Sequence, residues 1–71
     1  MSRLVVVGEI AVTAEARLKV RVGRRGGREL VDLRLFREAD GMGVFDQATK
    51  RGFALERKSI PALVEVLRRA R

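Results

Sequence analysis

The chain alternates between apolar and polar residues along most of its length, then changes period near its end. Arg17-Leu18-Lys19-Val20-Arg21-Val22 alternates strictly, which is the period of a half-buried strand. Arg28 to Arg37 alternates again, with Val31, Leu33 and Leu35 on one face and Leu30, Asp32, Arg34 and Phe36 on the other. Between the two runs, Gly26-Gly27 is a hairpin signal, because glycine reaches positive φ at little cost. Antiparallel neighbours share their core face, so Leu18, Val20 and Val22 are expected beside Leu35, Leu33 and Val31. Lys19, Arg21, Arg34 and Phe36 then share the opposite face.

Upstream, the valine- and isoleucine-rich run 4–12 reads as a strand, and Gly8 within it marks a bulge or a close backbone approach. Downstream of a polar loop at 38–43, short strands are expected at 44–47 and 52–55, joined by a basic turn over 48–52. From Ser59 the period becomes helical: Ile60, Leu63, Val64, Leu67 and Ala70 form one apolar stripe. Ser59 is placed as N-cap and Pro61 in the first turn. Arg68, Arg69 and Arg71 fall at the end of the helix, where its dipole favours cations, so they read as terminus residues rather than a binding site. The expectation is an α+β domain over 1–71: an antiparallel sheet with strands at about 4–12, 17–23, 28–37, 44–47 and 52–55, and a helix at about 60–70.

Composition changes this picture in two ways. Seventy-one residues bury only about 60% of their unfolded surface, and the chain has no cysteine to add disulfides or a thiolate metal site. A partner chain is the remaining way to enlarge the core, so a homo-oligomer is expected. The helix stripe, with Ile60, Leu63, Val64 and Leu67, is the expected dimer contact. The second change is charge. The net charge is +7, and residues 17–37 hold eight basic against two acidic residues, a block of +6. Thirteen of the sixteen basic residues are arginine, whose guanidinium forks onto phosphate oxygens and stacks on bases.

Catalytic chemistry is hard to find. Histidine is absent, and Ser2 and Ser59 are the only serines. Glu29/Asp32 and Asp40/Asp46 are carboxylate pairs in principle, but Asp32 is better placed to pair with an arginine across the sheet. Gly23-Arg24-Arg25-Gly26-Gly27 lacks the Lys-Ser/Thr and the following helix of a phosphate loop. The chain therefore reads as a non-enzyme with no metal and no cofactor. No apolar stretch approaches the ~20 residues of a membrane span. A cytoplasmic protein, nucleoid-associated in a prokaryote or nuclear in a eukaryote, with no membrane partner, is expected. A basic sheet face carrying few aromatics has the composition of a platform for single-stranded nucleic acid.

Leu30-Val31-Asp32-Leu33-Arg34-Leu35-Phe36, then Thr49-Lys50-Arg51-Gly52-Phe53-Ala54-Leu55, then an amphipathic helix, resembles the transcriptional positive cofactor 4 family over roughly residues 17–70. That family has a Val-Asp-Ile-Arg-Glu-Tyr-Trp strand, a Lys/Arg-Lys-Gly-Ile-Ser-Leu run and a helix. The resemblance implies a curved antiparallel sheet of four to five strands with one C-terminal helix, dimerised through the helices. It also implies that single-stranded DNA, or unwound duplex, lies along the basic β-surface. Arg34 matches the family's binding arginine, Arg28 the basic residue opening that strand, and Lys50-Arg51 the basic run before the glycine. Arg25 stands where the family has a hairpin aromatic, and Arg37 where it has the strand-ending tryptophan. The loop to the basic run is about two residues longer and contains Phe45.

The expected nucleic-acid-binding set is Arg17, Lys19, Arg21, Arg25, Arg28, Arg34, Phe36, Arg37, Lys50 and Arg51. Phe45 and Phe53 are read first as core residues; the candidates to replace the missing stacking pair are the guanidinium planes of Arg25 and Arg37, or the rings of Phe36 or Phe45. The expected function is largely sequence-independent single-stranded DNA binding by a homodimer in transcription (coactivator-like), replication or repair. The alternatives are RNA binding, or a module whose basic face meets an acidic partner from the transcription machinery.

Overall fold

A computed structural model describes residues 3–39 and 41–71. Ser2 and Asp40, weighed above as catalytic candidates, lie outside the described residues. Four strands, β1 (Val5–Thr13), β2 (Ala16–Arg25), β3 (Arg28–Arg37) and β4 (Gln47–Glu56), form one antiparallel sheet in the order β1-β2-β3-β4. A 3₁₀ turn, Arg57–Ser59, leads into the helix α1 (Ile60–Arg69).

The register follows from the alternation. Leu18 pairs with Leu35, Val20 with Leu33 and Val22 with Val31, which sets one apolar face. Phe53 and Leu55 continue it on β4, opposite Leu33 and Val31. Val5 and Ile10 continue it on β1, opposite Val22 and Leu18. Gly26 and Gly27 take φ of +58° and +78°, the left-handed conformation that a two-residue hairpin turn requires. β1 is bulged twice against β2, with Val7 and Val12 as the extra residues.

Residues 44–56 depart from the expectation. Val44 to Asp46 lie outside the strands, and Gln47–Glu56 is one continuous strand in place of two strands flanking a basic turn. The basic run is a bulge within β4: Phe36 pairs with Ala48 and Arg34 with Gly52, so Thr49, Lys50 and Arg51 together oppose Leu35. Thr49 holds it, its hydroxyl donating to the Leu35 carbonyl at 2.8 Å and accepting the Arg51 amide at 3.2 Å. Gly52 is needed there for space. A Cβ on it would press into the Leu33 carbonyl oxygen and lie 2.8 Å from the Arg34 Cα. Ser59 also differs, since it sits in the 3₁₀ turn with helical dihedrals and makes no side-chain cap bond.

α1 makes its contacts chiefly with the 3₁₀ turn and does not lie over the sheet. None of its residues is buried, and Leu67 on its stripe is 56% exposed. The apolar sheet face is also open: Phe53, expected in a core, is 51% exposed. The chain exposes 5766 Å², against about 4,400 Å² for a folded monomer of this mass. The excess, roughly 1,300 Å², exceeds the ~800 Å² that each partner contributes to a standard interface.

Candidate nucleic-acid interface

The face opposite the apolar one is organised in rows across the sheet. One row runs Val6, Arg21, Asp32, Ala54; the next Glu9, Lys19, Arg34, Gly52; the third Ala11, Arg17, Phe36, Ala48. Cations occupy the middle strands, and small residues flank them on β4. The face is therefore a shallow basic surface without tall side walls on that side.

Asp32 lies at its centre and is 5% exposed. The Arg21 guanidinium donates to its Oδ2 from Nε at 3.1 Å and from Nη2 at 2.7 Å. Arg34 donates to its Oδ1 from Nη2 at 3.0 Å and from Nε at 3.3 Å. Burial pushes the Asp32 carboxyl up, but the hydrogen bonds and positive charges of Arg34 and Arg21 outweigh burial and hold it below the ordinary aspartate value. Arg34 also donates from Nη1 to the Thr49 carbonyl at 3.0 Å, tying β3 to the β4 bulge.

These contacts revise the expected roles. Arg34 and Arg21 spend their donors on the fold, and their side chains are only 22% and 19% exposed. They act as struts of the face. Phe36 is 7% exposed, with the Lys19 ammonium 4.7 Å and the Arg21 guanidinium 5.1 Å from its ring centre. The ring, expected as a stacking residue, presents little open surface in this structure. Arg37 pairs with Ala16 and so shares the parity of Leu35 and Leu33, on the opposite side from Arg34. It joins Lys50 and Arg51 around a 410 Å³ cleft at the far end of the sheet, with Leu35 and Thr49 in its wall.

Arg25 and Arg28 form the last pair of the β2–β3 hairpin and are exposed, with Arg28 reaching Glu56 at 3.6 Å. Arg17 sits toward the far end of the face, in the row next to the terminal Ala16–Arg37 pair. Its guanidinium lies 4.8 Å from the centre of the Phe45 ring, and its Nη1 is 3.5 Å from the Glu9 carboxylate. The structure thus divides the expected set into three groups: the hairpin tip (Arg25, Arg28), the middle (Lys19 and the struts) and the far end (Arg17, Arg37, Lys50, Arg51). The pairing of Arg17 with Phe45 lay beyond sequence reasoning, because it depends on where Phe45, outside the strands, comes to lie. Within the 38–46 loop the Glu38 carboxylate accepts the Gly43 amide.

A search of solved structures finds a PC4 homolog from Burkholderia pseudomallei with the same arrangement, at a TM-score of 0.75 and 21% identity. The alignment covers 99% of this chain and 97% of that one. The chain has the PC4-like fold. No protein-family model matches the sequence, and no curated protein matches it significantly. The four-stranded open sheet followed by a helix is the architecture that the 30–36 and 49–55 motifs implied. Among the described residues no helix is long and apolar enough to cross a membrane, and no group of three or more His, Cys, Asp or Glu residues is placed to hold a metal ion.

Proposed function

We propose that this protein binds single-stranded DNA, largely without regard to sequence, as a homodimer in transcription, replication or repair. The observation that carries the reading is the basic sheet face, where Lys19 is held against Phe36 and Arg17 against Phe45 above the Arg21–Asp32–Arg34 struts. Fixed cations lose little entropy on meeting a phosphate backbone. The PC4-like fold supports the same surface. The uncovered apolar sheet face and the stripe Ile60, Leu63, Val64 and Leu67 support a second copy as the cover, with a dimer near 16 kDa as twice 7.9 kDa.

The test is a titration of single-stranded DNA, RNA and duplex DNA of one length across a range of salt. Preference for single-stranded DNA, with affinity falling by about 0.7 log units per log unit of salt for each phosphate engaged, is the expected result. Preference for RNA replaces the ligand and keeps the surface. Indifference to all three removes nucleic acid from the reading and leaves an acidic protein partner.

A further inference from the structure

We infer that the outer face of the Arg17 guanidinium, backed by Phe45, is the base-stacking platform of this surface. The inference rests on the single-strand reading above and names the group that meets the bases. A platform for bases needs a flat group held in place, with one face open. Phe36 fails this requirement because Lys19 and Arg21 cover its ring. Arg21 and Arg34 fail it because both are drawn into the Asp32 network and largely shielded. Lys19 has no planar head group.

Arg17 meets the requirement. Its guanidinium carbon lies over the Phe45 ring, 4.8 Å from the ring centre, and its Nη1 is 3.5 Å from the Glu9 carboxylate. With both contacts made, the side chain remains 42% exposed, so part of it stays open to a ligand. Its neighbours across the sheet are Ala11 on β1 and the sunken Phe36 on β3, followed by Ala48 on β4, so nothing bulky stands beside it in that row. A guanidinium is weakly hydrated on its faces and stacks readily on flat rings. A base laid on Arg17 would complete a three-layer stack of base, guanidinium and phenyl ring.

The experiment compares a thymidine oligonucleotide with an abasic strand of the same length and phosphate count. It uses the full chain as wild type, Arg17→Lys and Phe45→Leu. Circular dichroism and sedimentation confirm an unchanged fold and mass. The wild type is expected to bind the base-bearing strand at least fivefold more tightly than the abasic one. Arg17→Lys keeps the charge, so it is expected to keep the salt slope and abolish most of that preference. Phe45→Leu, in the loop before β4, is expected to reduce it in the same direction and provides the test if Arg17→Lys does not fold. A wild type that binds both strands equally, or an Arg17→Lys protein that retains the full preference, overturns the platform and leaves phosphate binding intact. A wild type that binds neither strand at low salt overturns the single-strand reading itself.

Discussion

Replacing Asp32 by asparagine tests how the basic face is held together. The substitution keeps the shape and removes the charge that two arginines share. In the native chain, one carboxylate with 5% exposure accepts paired donors from Arg21 and from Arg34. Removing one partner from a buried charge cluster costs about 3–5 kcal/mol. The asparagine oxygen retains one acceptor, and water reaches about a fifth of each arginine side chain, so the expected loss is about 2–3 kcal/mol. In a domain of this size that corresponds to a fall in Tm of roughly 10–20 °C. The assay is chemical and thermal denaturation at one fixed protomer concentration, because association would otherwise enter the comparison. The pH dependence supplies a second readout. Burial opposes ionisation of Asp32, but Arg34 and Arg21 prevail and its folded pKa lies below the unfolded value of about 3.9. Its contribution is therefore fully present above the unfolded pKa and is lost as pH falls through the folded one. The stability difference between wild type and Asp32→Asn should be constant near neutrality and shrink below about pH 4. A variant within 0.5 kcal/mol of wild type at pH 7, on the order of ordinary surface substitutions, refutes the strut reading.

Other consequences are open to measurement. Gly52→Ala places a Cβ against backbone atoms of Leu33 and Arg34 that have no room to yield, so a loss of about 1–3 kcal/mol is expected; wild-type stability would contradict the bulge geometry. Arg25→Ala and Arg28→Ala, at the exposed hairpin tip, should leave the melting temperature unchanged and each lower the single-strand salt slope by about 0.7 if it meets one phosphate. An unchanged slope in both removes the hairpin from the binding surface. Leu67→Glu puts a charge on the open stripe of α1 and should shift the sedimentation mass from near 16 kDa towards 7.9 kDa at micromolar concentration. A mass that stays doubled would show that the helix stripe is not the contact.

The hairpin and the faces of β2 and β3 were legible because period-two alternation and Gly26-Gly27 leave a single register that keeps the apolar residues together. The pairing of Asp32 with an arginine across the sheet was legible for the same reason. The sequence did not show that both Arg21 and Arg34 would converge on it, since alternation places side chains on a face without saying which donors meet. Thr49-Lys50-Arg51-Gly52 has the composition of a turn, and its place inside β4 depends on hydrogen bonds to residues 14 and 15 positions upstream. Alternation alone sends Arg37 to the side of Leu33 and Leu35, whereas resemblance aligns it with a stacking tryptophan; the register follows the alternation. Phe36 carries the polar-face parity that sequence gives it, yet long cations fold over it and leave it little open surface.

The two bulges in β1 bear on what this protein does when concentrated. An exposed edge strand rich in valine is ordinarily a template on which further strands pair without limit. Here Val7 and Val12 each interrupt the even spacing of backbone donors and acceptors, leaving only Gly8 to Ala11 in unbroken register between them. Four residues are a poor seed for a growing ladder, and Glu9 within them adds a charge. In the proposed twofold dimer, contact through the apolar face would close after one partner, whereas pairing along the edge would never close. The kinked edge thus works against fibre growth in a chain that has so little interior and so open a hydrophobic face.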